Sequence, residues 1–158
     1  MKTIAIASDH AGFLLKEKLK LYLEKRGFLP QDLGTYSPER CDYPNFAYQL
    51  ATAVSGGKIS RGILICKSGI GNSIVANKVR GVRAALCYNV KAAKLSRQHN
   101  DSNVLVIGAA FVNEKKAQMM VGVWLNTGFL GGRHKNRLRQ IERIERQIHR
   151  FECSRRSR

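Results

Sequence analysis

The feature that most constrains the fold is an alternation: five short β-rich runs separated by stretches of helical spacing. Residues 2–8 (KTIAIAS), 28–33 (FLPQDL), 62–66 (GILIC), 82–87 (VRAALC) and 104–107 (VLVI) read as strands. The third and fifth are continuous apolar runs, as expected of strands buried on both faces. Between them, residues 12–26 carry Leu15, Leu19, Tyr22 and Leu23 on one stripe with lysines opposite, and Gly27 supplies a C-terminal stop. Residues 44–54, 72–79, 90–98 and 113–125 supply further helices. A strand, helix, strand alternation of this kind predicts a parallel sheet covered by helices on both faces, with right-handed crossovers. In such sheets ligands sit at the carboxyl ends of the strands.

The chain has 158 residues, which is the size of one domain, and 44% of them are hydrophobic. A globule of this length buries roughly 70% of its unfolded surface, so intrinsic disorder is excluded. No apolar run approaches the roughly 20 residues that span a bilayer. The opening residues 1–7 give way to Ser8-Asp9-His10 before a signal-peptide core is complete. A soluble, cytoplasmic protein with no membrane partner is expected. Cys41, Cys66, Cys87 and Cys153 show no CxxC pairing and no metal-site spacing, and read as reduced thiols.

The formal net charge is +17, and residues 133–158 hold ten basic against three acidic side chains. Such an excess attracts polyanions and equally concentrates small anionic substrates. Charge alone does not choose between them. Residues 133–151 place Leu138, Ile141, Ile144 and Ile148 at helical spacing, an amphipathic helix whose apolar stripe needs a surface to cover. The expected organisation is a core over residues 1–132, a C-terminal helix over 133–151 packing on a partner subunit, and a basic, frayed tail over 152–158.

Four segments could carry chemistry. Asp9 and His10 stand where the first strand turns into the first helix, a position suited to an anion; Asp9 serves equally well as a plain helix cap. Cys66-Lys67-Ser68-Gly69-Ile70-Gly71 ends the most apolar strand, and its glycines permit a turn whose N–H groups converge on one point. The same glycines also suit a simple tight turn. A cysteine beside a helix N-terminus and a lysine has an environment expected to lower its thiol pKa. His99 and Asn100 close the fourth helix, where a polar C-cap is the ordinary reading. Arg133 and Arg137, four residues apart, fall on one helix face, as a forked phosphate clamp or as a solvated basic surface.

Together these segments are recognisable. SDHAG at residues 8–12, RCDYPNFA at 40–47, ILICKSGIGNSIVANK at 63–78, LSRQHNDSNVL at 95–105 and GGRHKNR at 131–137 resemble ribose-5-phosphate isomerase type B, a family that also includes galactose-6-phosphate and allose-6-phosphate isomerases. The resemblance covers nearly the whole chain. It implies a single-domain, three-layer α/β/α architecture with a Rossmann-like or flavodoxin-like parallel sheet of about five strands, no metal, no cofactor, and a homodimer or dimer of dimers. It implies a proton-transfer isomerisation through a cis-enediolate, with Cys66 as base and Ser68 as proton relay beside the turn at Lys67, Gly69, Ile70 and Gly71. His99, with Asp9, matches the group that opens the sugar ring; Tyr43 and Asn100 match holders of hydroxyls. His10, Arg133 and Arg137 match phosphate ligands, the arginines reaching in from the partner subunit. Two residues depart from the family pattern: Lys67 stands where glycine is usual, and Ala110 where an arginine often adds a phosphate contact.

The expected activity is therefore interconversion of ribose 5-phosphate and ribulose 5-phosphate. An alternative keeps the chemistry on a six-carbon sugar phosphate. A second alternative is a polyanion-binding module on the same scaffold; without aromatic interleaving or a nucleic-acid motif, nucleic acid is not expected as the main partner.

Overall fold

A computed structural model describes residues 1–156 as eleven elements in chain order. They are β1 (Lys2–Ser8), α1 (Phe13–Lys25), β2 (Phe28–Asp32), α2 (Tyr43–Ser55), β3 (Gly62–Cys66), α3 (Ile70–Ala76), β4 (Ala84–Cys87), α4 (Val90–Asn100), β5 (Val104–Gly108), α5 (Glu114–Asn126) and α6 (Arg133–Arg156). All strand pairs are parallel, in the order β2-β1-β3-β5-β4.

The two inner runs explain that order. β3 and β5 are buried at every residue, so each needs a strand on both sides, and β5 sits between β3 and β4. β4, buried only at Cys87, takes the edge. The order is that of a doubly wound sheet with its last two strands exchanged relative to the flavodoxin arrangement. The chain runs outward in opposite directions from β1 and from β3, which leaves a crevice at their carboxyl ends.

Side-chain alternation along the strands divides the core. Ile4, Ile6, Ile63, Ile65, Leu105 and Ile107 point to one face, where they meet Leu19 and Leu23 of α1 and Met120, Val121 and Trp124 of α5. Ala5, Ala7, Leu64, Val104 and Val106 point to the other, against Ala47, Leu50 and Ala51 of α2 and Ala76 of α3. Each large aliphatic side chain buried this way contributes about 1.5–3 kcal/mol. Trp124 is fully buried, and its Nε1–H donates to Ser102 Oγ at 2.8 Å, so the indole loses no hydrogen bond on burial.

The C-terminal helix departs from expectation at its far end. It continues to Arg156 rather than stopping at 151, since Glu-Cys-Ser-Arg-Arg contains neither glycine nor proline to break it. Of the tail expected over 152–158, residues 157–158 lie outside the described residues. Leu138 is buried, whereas Ile141, Ile144 and Ile148 are half exposed, at 50%, 55% and 53%.

Candidate active site

The crevice between β1 and β3 gathers most of the expected groups. Asp9, just past β1, is buried, and its Oδ1 accepts the Gly12 N–H at 3.0 Å. Asp9 is not the cap of α1, whose N-cap is Gly12 with no side-chain cap; its carboxylate instead closes the turn that leads into the helix, and its negative charge acts on the Cys66 thiol.

His10 is oriented by main chain. The Cys41 N–H donates to His10 Nδ1 at 3.2 Å, and a backbone N–H always carries its hydrogen. The Cys41 carbonyl lies 3.1 Å from the same Nδ1. With the hydrogen on Nε2, Nδ1 accepts the Cys41 N–H and the ring presents a donor to an anion; with the hydrogen on Nδ1, the ring pairs with the carbonyl instead.

Cys66 is the last residue of β3, and the chain after it turns sharply into α3. Gly69 adopts φ +84°, in the left-handed region, where a side chain would be strained. This conformation aims the Gly69 N–H at Cys66 Sγ, 3.1 Å away. A Cβ on Gly71 would lie 2.4 Å from the Tyr43 ring, so that ring rests directly over the turn. Ser68 Oγ accepts the Ile70 N–H at 3.2 Å, which leaves its own hydrogen free to donate. Its carbonyl accepts the Tyr88 hydroxyl at 3.0 Å.

The thiol itself corrects the sequence reading. Burial pushes the Cys66 pKa up, and the Asp9 charge adds to this; N–H groups of Gly69, Asn72 and Ser68 only partly offset it. Lys67, expected to draw the pKa down, is exposed and does not act on the thiol. Its role in holding the turn is through its carbonyl, which accepts the Ala110 N–H at 3.0 Å. Ile70 is exposed at the rim. Cys87 is pushed up to about 11 by burial and fits the inert role expected of it.

Asn72 was not singled out by the sequence. It is buried, contributes an N–H toward Cys66, and its Oδ1 has no partner among the described residues. A polar residue in the first turn of a helix that follows a reactive strand end was the available signal.

His99, Asn100, Arg133 and Arg137 lie elsewhere. In a parallel sheet each helix returns antiparallel to the strands, so the end of α4 reaches the amino edge of the sheet, where β5 begins. β3 pairs with β5 from Gly62↔Val104 to Cys66↔Gly108, which separates the two edges by about 13 Å. At that far edge the half-buried His99 stacks on His134, with ring centroids 4.2 Å apart and planes 7° apart. Leu130 N–H donates to the Gln98 carbonyl at 3.1 Å, which ties the start of α6 to the end of α4. Burial, His99, Arg133 and Arg137 together hold the His134 pKa down. One chain therefore carries two separate groups: Asp9, His10, Tyr43 and Cys66 to Gly71 at one edge, and His99, Asn100, Arg133 and Arg137 at the other. Among the described residues no three His, Cys, Asp or Glu side chains cluster as metal ligands.

Comparison with known proteins gives a consistent result. The pattern of the Ribose/Galactose Isomerase family matches residues 4–141. The chain is 48% identical over 147 residues to ribose-5-phosphate isomerase B of Escherichia coli, covering 93% of this chain and 99% of that one. The structure of Clostridium thermocellum ribose-5-phosphate isomerase B superposes with TM-score 0.91 at 45% identity, over 92% of this chain and 99% of the other. That of the Mycoplasma genitalium enzyme with bound ribulose 5-phosphate gives 0.87 at 41%, over 91% and 96%.

Proposed function

The chain belongs to the ribose/galactose isomerase family, and we infer from that membership and from the thiol at the mouth of β3 that it interconverts D-ribose 5-phosphate and D-ribulose 5-phosphate. The observation that carries the reaction class is Cys66 itself, a thiol facing a turn of backbone N–H groups at the sheet's switch point. The five-carbon substrate rests on the relatives, one of which holds ribulose 5-phosphate.

In the proposed reaction the open-chain aldose lies against the turn with its C2 hydrogen toward Sγ. The Cys66 thiolate removes the C2 proton, the C2 electron pair forms the C1–C2 double bond, and the carbonyl oxygen O1 takes up the negative charge. Backbone N–H groups of the turn stabilise that oxygen where charge develops. The Ser68 hydroxyl, with its hydrogen free, passes a proton between O2 and O1; Cys66 then returns its proton to C1 and the C2 carbonyl forms. Every step moves a proton and none moves an electron to an acceptor, so the sequence calls for no redox cofactor. His10 donates from Nε2 to the phosphate, and Tyr43 holds a sugar hydroxyl.

His99, Asn100, Arg133 and Arg137 serve this chemistry from a second copy of the chain. About 13 Å of sheet separates them from Cys66 in one copy, and an isologous dimer brings the amino edge of each subunit to the carboxyl edge of the other. His99 then opens the furanose ring, with Asp9 assisting, and the arginines fork onto the phosphate. The α6 helix, beginning at Arg133, extends toward the neighbour from the core of residues 1–132. A buried thiol that must stay reduced suits the cytoplasm.

A coupled assay tests the reading: ribulose 5-phosphate formation from ribose 5-phosphate, beside allose 6-phosphate and galactose 6-phosphate, with EDTA present. Turnover favouring the five-carbon sugar is expected. Preference for either six-carbon sugar, or loss of activity with chelator, overturns it.

A further inference from the structure

The C-terminal helix has two opposed faces, and the isomerase chemistry uses neither of them in full. At about 100° per residue, Lys135, Arg139, Arg143, Arg146 and Arg150 fall within an arc of about 80°. Ile141, Ile144 and Ile148 lie on the opposite side, facing a groove whose far wall includes Asn77, Lys78, Val82 and Ala84. Most of the basic stripe is thereby turned away from the body of the domain, with Arg146 at the lip of a crevice beside Arg80 and Arg83. All five of its side chains are exposed, and none is in an ion pair among the described residues. Of the two nearest carboxylates, Glu145 is engaged, accepting the Gly81 N–H at 2.8 Å, and Glu142 lines the same crevice with Arg80, Arg83 and Arg146. Arg133 and Arg137 fall on the other side of the helix, so the stripe is separable from the proposed phosphate clamp.

We propose that this stripe binds the phosphate backbone of a nucleic acid strand without reading its bases. It is straight and spans about 22 Å at 1.5 Å per residue. A duplex strand carries a phosphate about every 3.4 Å of axis, so the stripe runs beside roughly six of them. Four of its five members are guanidinium groups, which grip phosphate oxygens through paired N–H donors. No aromatic side chain lies in the arc to stack on a base, which leaves contacts that position a strand and carry no sequence information. A lipid surface fits less well. A helix lying in a bilayer interface inserts its apolar face, and here that insertion would point the arginines directly away from the headgroups.

The test is fluorescence anisotropy of the full chain with a labelled 20-nucleotide RNA across a salt series. Wild type is expected to bind at low salt, with affinity falling steeply as salt rises. R139Q/R143Q/R146Q/R150Q weakens binding at least about tenfold and lowers the slope of log affinity on log salt by about 3, as four lost phosphate contacts require. Its turnover of ribose 5-phosphate stays at the wild-type value. R139K/R143K/R146K/R150K, which keeps charge and helix, keeps most of the slope. The exposed lysines provide the control: K25Q/K58Q/K94Q/K115Q removes the same charge elsewhere and weakens binding less than about threefold. Equal losses in the arginine and lysine variants would mean that diffuse charge does the binding, and the stripe has no special part. No RNA binding by wild type, or binding to anionic phosphatidylserine vesicles that exceeds binding to RNA, also overturns the proposal.

Discussion

His99 stacks face to face on His134, 4.2 Å between ring centroids, at the edge of the sheet opposite Cys66. Burial, the facing His99 ring and the flanking Arg133 and Arg137 together hold the His134 pKa down. The stack places His99 beside the start of α6, with Arg133 and Arg137, and on the proposed reading it acts with them at the site of a second chain.

This relationship makes a subunit-mixing experiment decisive. Cys66→Ala and His99→Asn are each expected to be inactive alone. Mixed and allowed to exchange, they recover about a quarter of wild-type activity, because half the dimers are mixed and each of those has one intact site of two. Cys66→Ala mixed with Arg133→Ala/Arg137→Ala behaves alike. Exchange without recovery in the first pair would return His99 to the site of its own chain.

Cys66→Ala removes the proposed base without removing the turn, so fold and phosphate binding persist while turnover falls below a few per cent, an order-of-magnitude threshold for losing a base. Calorimetric binding of ribose 5-phosphate, run beside the coupled assay, separates the two effects. Residual activity above that level assigns the base elsewhere.

Burial raises the Cys66 pKa and the Asp9 charge adds to it, so at any given pH a smaller fraction of this thiol is ionised than of a free cysteine. Iodoacetamide inactivation should therefore accelerate with pH to a midpoint above that of free cysteine. Asp9→Asn removes a negative charge beside the thiol and is expected to shift the midpoint downward. The folded protein holds this proton more tightly than the unfolded chain, so the associated stability is present below the ordinary thiol pKa and is lost as pH rises through the folded value. An unchanged midpoint in Asp9→Asn would show that burial alone sets the shift.

Gly71→Ala puts a methyl group into the Tyr43 ring. The ring must move, at a cost of about 1–3 kcal/mol of stability, and KM for ribose 5-phosphate rises more than kcat falls. Thermal unfolding and steady-state kinetics read these separately. Wild-type KM in Gly71→Ala would remove Tyr43 from sugar binding.

Lys16 is fully buried and pairs with Asp32, which also accepts from Lys20 at 2.7 Å and from the Gly34 N–H at 3.0 Å. Burial works against the Asp32 charge, yet these partners hold its pKa below the ordinary carboxylate range. Its stabilisation is therefore full above the unfolded carboxylate value near 4 and lost as pH falls through the folded one. Asp32→Asn should lower stability at neutral pH by about 1–3 kcal/mol and flatten the acid limb of a urea-unfolding series against pH. An acid limb as steep as wild type would place the responsible carboxylate elsewhere.

Much of this was legible because periodicity reports burial. GILIC and VLVI announce strands covered on both faces, and the switch from that run to Lys67-Ser68-Gly69 marks the site. What escaped depends on distance through space. Asp9 sits nine positions into the chain yet beside Cys66, and no local pattern says that its charge and the surrounding burial outweigh an exposed Lys67. The exchange of β4 and β5 is likewise a competition between strands for the inner place, decided by how completely each can be buried.

The grip of Cys41 on His10 runs through main-chain atoms alone. The side chain at position 41 takes no part in holding the imidazole, so that position is open to evolutionary drift in residue type. Loop length between β2 and α2 is not: an inserted or deleted residue there would withdraw both main-chain partners of Nδ1 and free the ring to turn away from the phosphate proposed for it.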